Sequence, residues 1–170
     1  MKIIGALIFI MMTTWIGYDW SLQLQKRTKQ LRSLIYSLQL MEAEMGYTYA
    51  PLQKVFSSVH EKTTEPVSYF YKYLQQALTE SVSDFSEVWE HALEKLLKQS
   101  ALKQEEAAIL SQFGKNLGNH TFLQQEKHIH LTMHHLKEIL NNATDEQHKY
   151  ERMAKSLGVL AGIFIVLLLY

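Results

Sequence analysis

The side chains best able to do chemistry in this sequence are four histidines in one short run, His128, His130, His134 and His135. On a helix, His130 and His134 are four residues apart and share a face, a spacing that can hold a metal ion. His128 and His135 fall on the other side of the same helix, and the run itself contains no carboxylate or cysteine at ligand spacing. We therefore expect solvated or packing histidines and no metal or cofactor. A metal pair at His130 and His134, or a pH-sensing role, is the alternative.

A second candidate group is the acidic row Glu87, Glu90 and Glu94, which recurs every three or four residues and so shares one side of a helix. Such a row is either a solvated helix face or a docking surface for a basic partner. Glu42 and Glu44 are two residues apart, so they lie on different faces and do not form a catalytic dyad.

Motifs that assemble an active site are missing from the sequence. It contains no Gly-x-Ser-x-Gly, no phosphate-binding loop, no Gly-x-Gly-x-x-Gly and no His-Glu-x-x-His. No nucleophile, base and oxyanion donor can be grouped, and we expect a protein that is not an enzyme. The chain has 170 residues, no formal net charge and no cysteine, which excludes disulfide chemistry and gives no sign of nucleic-acid binding.

The two ends of the chain are predicted membrane anchors. Residues 1–18 are mostly apolar and end in Trp15 and Tyr18, as at a membrane interface. A cleaved signal peptide is the rival interpretation, although no Ala-x-Ala-like site follows. Residues 157–170 are almost wholly apolar and contain Gly158 and Gly162, whose spacing lets two helix backbones approach closely in lipid.

The basic residues indicate how such anchors would be oriented. They cluster in 26–32 and 149–155, on the inner side of each apolar run. The positive-inside rule then predicts a cytoplasmic domain at residues 19–156, with both chain ends across the membrane.

Between the anchors, apolar spacing predicts an all-α, antiparallel bundle of six helices. In the first helix, Leu24, Leu31, Leu38 and Met45 recur every seven residues up to Gly46. Later helices are expected to start at residues that suit a first turn or an N-cap: Pro51, Asp84, Ser100 and Thr121.

The last helix is expected to be the longest element. Residues 121–157 contain neither proline nor glycine, so this helix can run unbroken into the terminal apolar run. Trp89 falls on the inward face of the fourth helix, and Met153 on that of the last.

Several short motifs follow one another in a recognisable order. They are Lys29–Arg32, Met41–Met45, Ala50–Leu52, Val88–Glu90, Ala101–Glu105, Phe113–Gly118, Gln125–Ile129 and Tyr150–Gly158. With the two terminal anchors, this order resembles the stage III sporulation protein AB family of endospore-forming bacteria over essentially the whole chain. That family is similar in turn to the F-type inner-membrane platform proteins of type II secretion and type IV pilus systems. Their cytoplasmic domain is a six-helix bundle, in agreement with the helix count obtained from spacing.

The resemblance implies a structural role in the sporulation channel complex between mother cell and forespore. The protein would lie in the mother-cell membrane around the forespore, with its bundle in the mother-cell cytoplasm. The implied partners are other proteins of the same stage III operon, above all the cytoplasmic ATPase, stage III sporulation protein AA. A homo-oligomer is also compatible with the resemblance. The resemblance implies no catalytic residues. A membrane-anchored sensor or adaptor, with the histidine run as its input, is the alternative function.

Overall fold

The computed structural model describes the backbone of residues 2–48, 50–80, 84–117 and 122–169. It describes the side chains of residues 19, 21–46, 50–80, 84–117, 124–150, 152 and 153. Across these residues the chain forms six α-helices and no strand, as predicted. The helices are α1 (Lys2–Thr48), α2 (Leu52–Lys62), α3 (Val67–Thr79), α4 (Phe85–Lys98), α5 (Gln104–Asn116) and α6 (Phe122–Leu169).

Two of the four predicted helix starts match the structure, and Thr121 lies outside the described residues. Pro51 directly precedes α2. The Asp84 carboxylate accepts a 2.8 Å hydrogen bond from the Ser86 backbone N–H, which satisfies a free donor at the start of α4. The prediction of Ser100 as the cap of α5 is wrong, because the N-cap is Lys103, whose backbone N–H donates to Glu106 at 2.8 Å. The predicted end of α1 at Gly46 is also slightly early, since the helix continues to Thr48.

The six helices form a closed ring. Each helix packs against the next one along the chain, and α6 returns to pack along α1. Arg27 of α1 faces Glu146 of α6. Glu42, further along α1, faces His130, which comes earlier in α6. Residue numbers therefore rise along α1 while they fall along α6, so these two long helices are antiparallel.

The interior of the ring is the hydrophobic core. The seven-residue series of α1 is buried, as are apolar residues in each of α2 to α5, among them Val59, Phe70, Trp89 and Leu110. A polar contact within this core is the 2.9 Å hydrogen bond between the hydroxyls of Ser37 and Tyr71. Burial raises the pKa of the Tyr71 hydroxyl far above its ordinary value, so this group stays neutral.

The inward face is misassigned at one position near the end of the described part of α6. Met153 was expected to be buried but is 47% exposed. The N-cap of α5, Lys103, lies beside Glu146, two turns earlier in α6. Met153 lies about two turns beyond this contact, and solvent reaches its side chain.

The flanking membrane helices predicted from the sequence are not found among the residues that the structure describes. Where the structure describes the chain, no helix is both long enough and apolar enough to cross a bilayer. The side chains of 1–18 and 157–170, and with them the predicted packing pair Gly158 and Gly162, lie outside the described residues.

Candidate functional site

The acidic row on α4 is positioned by one buried aromatic residue. Trp89 is 1% exposed, and its indole Nε1 donates a 2.8 Å hydrogen bond to the backbone carbonyl of Leu110. The ring of Phe70 meets the Trp89 ring edge-on, with centroids 5.0 Å apart. Such packing and the hydrogen bond together fix the rotation of α4 about its axis, so its acidic face is turned away from the core.

The three glutamates of the row have different environments. Glu87 and Glu94 are exposed, and because they are seven residues apart they lie on the same face, about two turns from each other. Glu90 is half-buried: its carboxylate accepts a hydrogen bond from the Ser111 hydroxyl and lies 4.0 Å from the ammonium of Lys115. Glu90 therefore ties α4 to α5, and Glu87 and Glu94 carry the free acidic surface.

A groove with the opposite charge lies between α3 and α4. Its wall includes Tyr69, Lys72 and Tyr73, and the ammonium of Lys95 lies 4.0 Å from the centroid of the Tyr73 ring. This cation–π contact holds Lys95 over α3. The surface around α4 thus has an acidic edge and a basic, aromatic edge.

The histidine run does not bring together His130 and His134, the pair that was the alternative to solvated histidines. The imidazole Nε2 of His130 lies 2.9 Å from a carboxylate oxygen of Glu42 on α1, and the Glu126 carboxylate is near both. His134 instead lies with His135 around Glu138, at 3.9 and 3.8 Å from its carboxylate. The two predicted ligands belong to separate clusters.

The carboxylates in both clusters were missed at the sequence level. Glu126 precedes His130 by four residues and Glu138 follows His134 by four, so helical spacing could have found both. Glu42 could not be found in this way, because only the packing of α1 on α6 brings it near His130. His128, on another side of α6, lines a shallow groove between α5 and α6 together with His135.

A buried ion pair was also missed. Glu106 lies in the first turn of α5, and its side chain is fully buried. The guanidinium of Arg27 approaches one of its carboxylate oxygens, with Nε at 2.7 Å and Nη2 at 2.6 Å. Glu146 lies 3.7 Å from Arg27 on the other side, so α1, α5 and α6 are joined at one point.

The comparisons with known proteins agree with this helical architecture. The family model described as stage III sporulation protein AB matches residues 2–170. The chain belongs to the stage III sporulation protein AB family. A relative of that name from Bacillus subtilis (strain 168) is 35% identical over 169 residues, covering 99% of each chain.

A solved structure supports the fold of the family member described here. This structure, of stage III sporulation protein AB, is similar with a TM-score of 0.68 at 31% identity. The match covers 73% of this chain and 98% of the solved one. The sequence resemblance to the family is thereby confirmed.

Proposed function

We propose that this chain is a non-enzymatic membrane platform component of a secretion-like channel between mother cell and forespore. In this proposal residues 1–18 and 157–170 are membrane anchors and residues 19–156 form a cytoplasmic bundle similar to the F-type platform domain. The bundle would hold the cytoplasmic ATPase, stage III sporulation protein AA, and other channel proteins at the mother-cell membrane. Membership of a sporulation family supports the setting of the proposal.

The observation that carries the proposal is the antiparallel packing of α1 on α6. Arg27 faces Glu146 and Glu42 faces His130, so the start of α1 and the end of α6 lie at the same end of the helix pair. Two apolar terminal segments that leave a domain together can enter one membrane without crossing the bundle. The basic clusters at 26–32 and 149–155 belong to that same end, where they could contact anionic lipid head groups.

The opposite end of the bundle would then be the surface available to a cytoplasmic partner. From Arg27 to Glu42 is about 22 Å along α1, which separates the two ends by most of a domain. Glu87 lies near the start of α4, beside Glu80 at the end of α3. We infer that Glu87 and Glu94 form the docking face for a basic surface of the ATPase, since exposed charges of one sign steer a partner of the other.

Reporter fusions test the topology. Fusions after His60 and after Ser100 should report a cytoplasmic location, and a fusion after Tyr170 should report an external one. A cytoplasmic report from both Ser100 and Tyr170 would contradict the arrangement with two anchors.

Charge reversal tests the docking face. Glu87→Lys with Glu94→Lys should leave the helical content and unfolding temperature unchanged and weaken ATPase binding at low salt. The weakening should shrink as ionic strength rises, because salt screens the field between exposed charges. The matched control is Glu61→Lys with Glu105→Lys, the same change of charge at two other exposed glutamates. Equal affinities of the two variants at low salt would show that the glutamates of α4 only solvate the helix.

A further inference from the structure

Two carboxylates and one imidazole meet between α1 and α6. Glu42 comes from α1, and Glu126 and His130 come from α6. One potential ligand atom from each residue lies within 4.8 Å of the other two, and His130 Nε2 is 2.9 Å from Glu42 Oε1. Both glutamates are half-buried, so they are partly withdrawn from the water that would otherwise screen them.

The cluster is a product of both helical spacing and tertiary packing. Glu126 and His130 are four residues apart and so share one face of α6. Glu42 is brought to that face by the antiparallel pairing of α1 and α6. This pairing is held independently at its other end, where Thr28 Oγ1 lies 2.9 Å from Gln147 Oε1.

The charges of the cluster are not balanced by its own residues. Two ionised carboxylates at this distance repel each other, and a protonated imidazole would compensate for only one of them. The ammonium of Lys62, at the end of α2, pairs with Glu44 at 3.2 Å. A divalent cation would neutralise both carboxylates and leave the imidazole neutral.

The donor set favours a particular class of cation. Imidazole nitrogen with carboxylate oxygen suits zinc and its neighbours among the transition metals, whereas calcium and magnesium prefer oxygen alone. Ligand atoms about 2.0–2.2 Å from zinc are about 3.4 Å from each other in a tetrahedral site. Glu42 and His130 are 2.9 Å apart and Glu126 lies within 4.8 Å of both, so these donors need to shift by about 0.5 to 1.4 Å to reach zinc geometry. Side-chain rotation on the two helices can supply such a shift.

We propose that Glu42, Glu126 and His130 bind a divalent transition-metal ion of the zinc class. Three protein ligands leave a fourth position for water or for a group from a partner. The ion joins α1 to α6 at the end of the helix pair opposite Arg27. Bound zinc therefore stabilises the end of the bundle at Glu42 and His130, where the described residues include no buried arginine–carboxylate pair.

The second cluster of the same helix supplies an internal control. His134, His135 and Glu138 also have ligand atoms within 4.8 Å of one another, but all three are exposed and come from α6 alone. Zinc bound there would not join two helices, so it would add little to the stability of the bundle.

The experiment is zinc titration of the purified, metal-free full chain, followed by zinc analysis and thermal unfolding. The wild type should bind zinc, and at about 100 times the dissociation constant its unfolding temperature should rise by several degrees. Glu126→Gln and His130→Ala should each weaken this binding at least tenfold and abolish the thermal shift. His134→Gln with His135→Gln should retain both, and circular dichroism should show equal helix content in all variants.

Two results would overturn the proposal. One is a wild-type chain whose unfolding temperature does not change with zinc. The other is a thermal shift that persists in His130→Ala and disappears in the His134→Gln, His135→Gln variant. Because the His130 side chain is largely exposed, its removal leaves the core intact, and a folded variant will be available for the comparison.

Discussion

The four short helices and the two long ones are held together by different kinds of contact. In α2 to α5 the core is built on aromatic rings, which belong to Phe56, Phe70, Tyr71, Trp89 and Phe113. The described core residues of α1 and α6 are aliphatic, and polar contacts join the two helices near both ends of their interface. The difference follows from length, because helices of 11 to 14 residues are marginal alone and need large buried side chains to hold them.

The two long helices, α1 and α6, must instead pack in one register. Leucine and methionine recur every seven residues along α1, so a slip of seven residues would again bring apolar side chains together. Arg27 of α1 pairs with both Glu106 of α5 and Glu146 of α6, and these contacts do not tolerate such a slip, because Glu106 would be left uncompensated in the core. Aromatic packing therefore stabilises the half built from α2 to α5. Polar contacts fix a single register in the half built from α1 and α6.

The largest effect is expected in the aromatic half. Trp89→Ala should lower the free energy of unfolding by about 3–5 kcal/mol, because it empties a large volume between α3, α4 and α5. The measurement is urea unfolding followed by circular dichroism. Trp89→Phe is the control: it retains most of the packing and loses the hydrogen bond to Leu110, for about 1 kcal/mol. A loss below about 1 kcal/mol for Trp89→Ala would mean that this half does not depend on its rings.

The role of the polar contacts is tested by removing one member of the buried ion pair between Arg27 and Glu106. Glu106→Leu should cost about 3 kcal/mol, at the low end for a buried ion left without its partner, since Glu146 remains 3.7 Å from Arg27. Replacing both residues, by Arg27→Met with Glu106→Leu, should restore most of the stability. If the pair sets register, cross-linking between cysteines introduced along α1 and α6 should be specific in the wild type and spread over several positions in the double variant.

A smaller effect is expected where a glycine meets the aromatic core. A Cβ added at Gly114 would overlap the indole ring of Trp89, which is itself fixed by its neighbours. Gly114→Ala should therefore cost about 1–3 kcal/mol, the usual range for an overpacked core. Gly46→Ala, near the end of α1, is the matched control and should be neutral or slightly stabilising in the same unfolding assay.

The smallest effect concerns the junction of α1 and α2. A hydrogen bond from the Ser58 hydroxyl, at 2.6 Å, and the ammonium of Lys62 lower the pKa of the Glu44 carboxyl. A lowered pKa in the folded state contributes stability above the unfolded pKa of about 4.5, and this contribution is lost as pH falls through the folded value.

Ser58→Ala should move the Glu44 pKa upward, as followed by NMR titration. Stability at neutral pH should change little, because Glu44 is exposed to screening by solvent. Lys62→Met should also raise the Glu44 pKa, because the ammonium both donates a hydrogen bond to the carboxylate and attracts its charge. An unchanged pKa in Ser58→Ala would show that the hydroxyl does not reach the carboxylate in solution.

Local patterns in the sequence were sufficient for the number of helices, the caps of α2 and α4 and most inward faces. These features depend on residues within a few positions of each other, where helical spacing and N-cap preference are strong constraints. The start of α5 was misjudged because Ser100 is a good cap in isolation. In the structure the N-cap of α5 is Lys103. With this start, one carboxylate oxygen of Glu106 accepts the Lys103 backbone N–H and the other binds Arg27.

What the sequence alone determined is an all-α chain of six amphipathic helices, with the two longest at its ends. What only the tertiary structure decided is which charged residues meet. Glu106 became a buried anion and Glu42 joined Glu126 and His130, because helices distant in sequence came to lie side by side. The residues next to a glutamate in sequence do not reveal whether its carboxylate faces water or an arginine. Only the packing of one helix on another decides which of the two it faces.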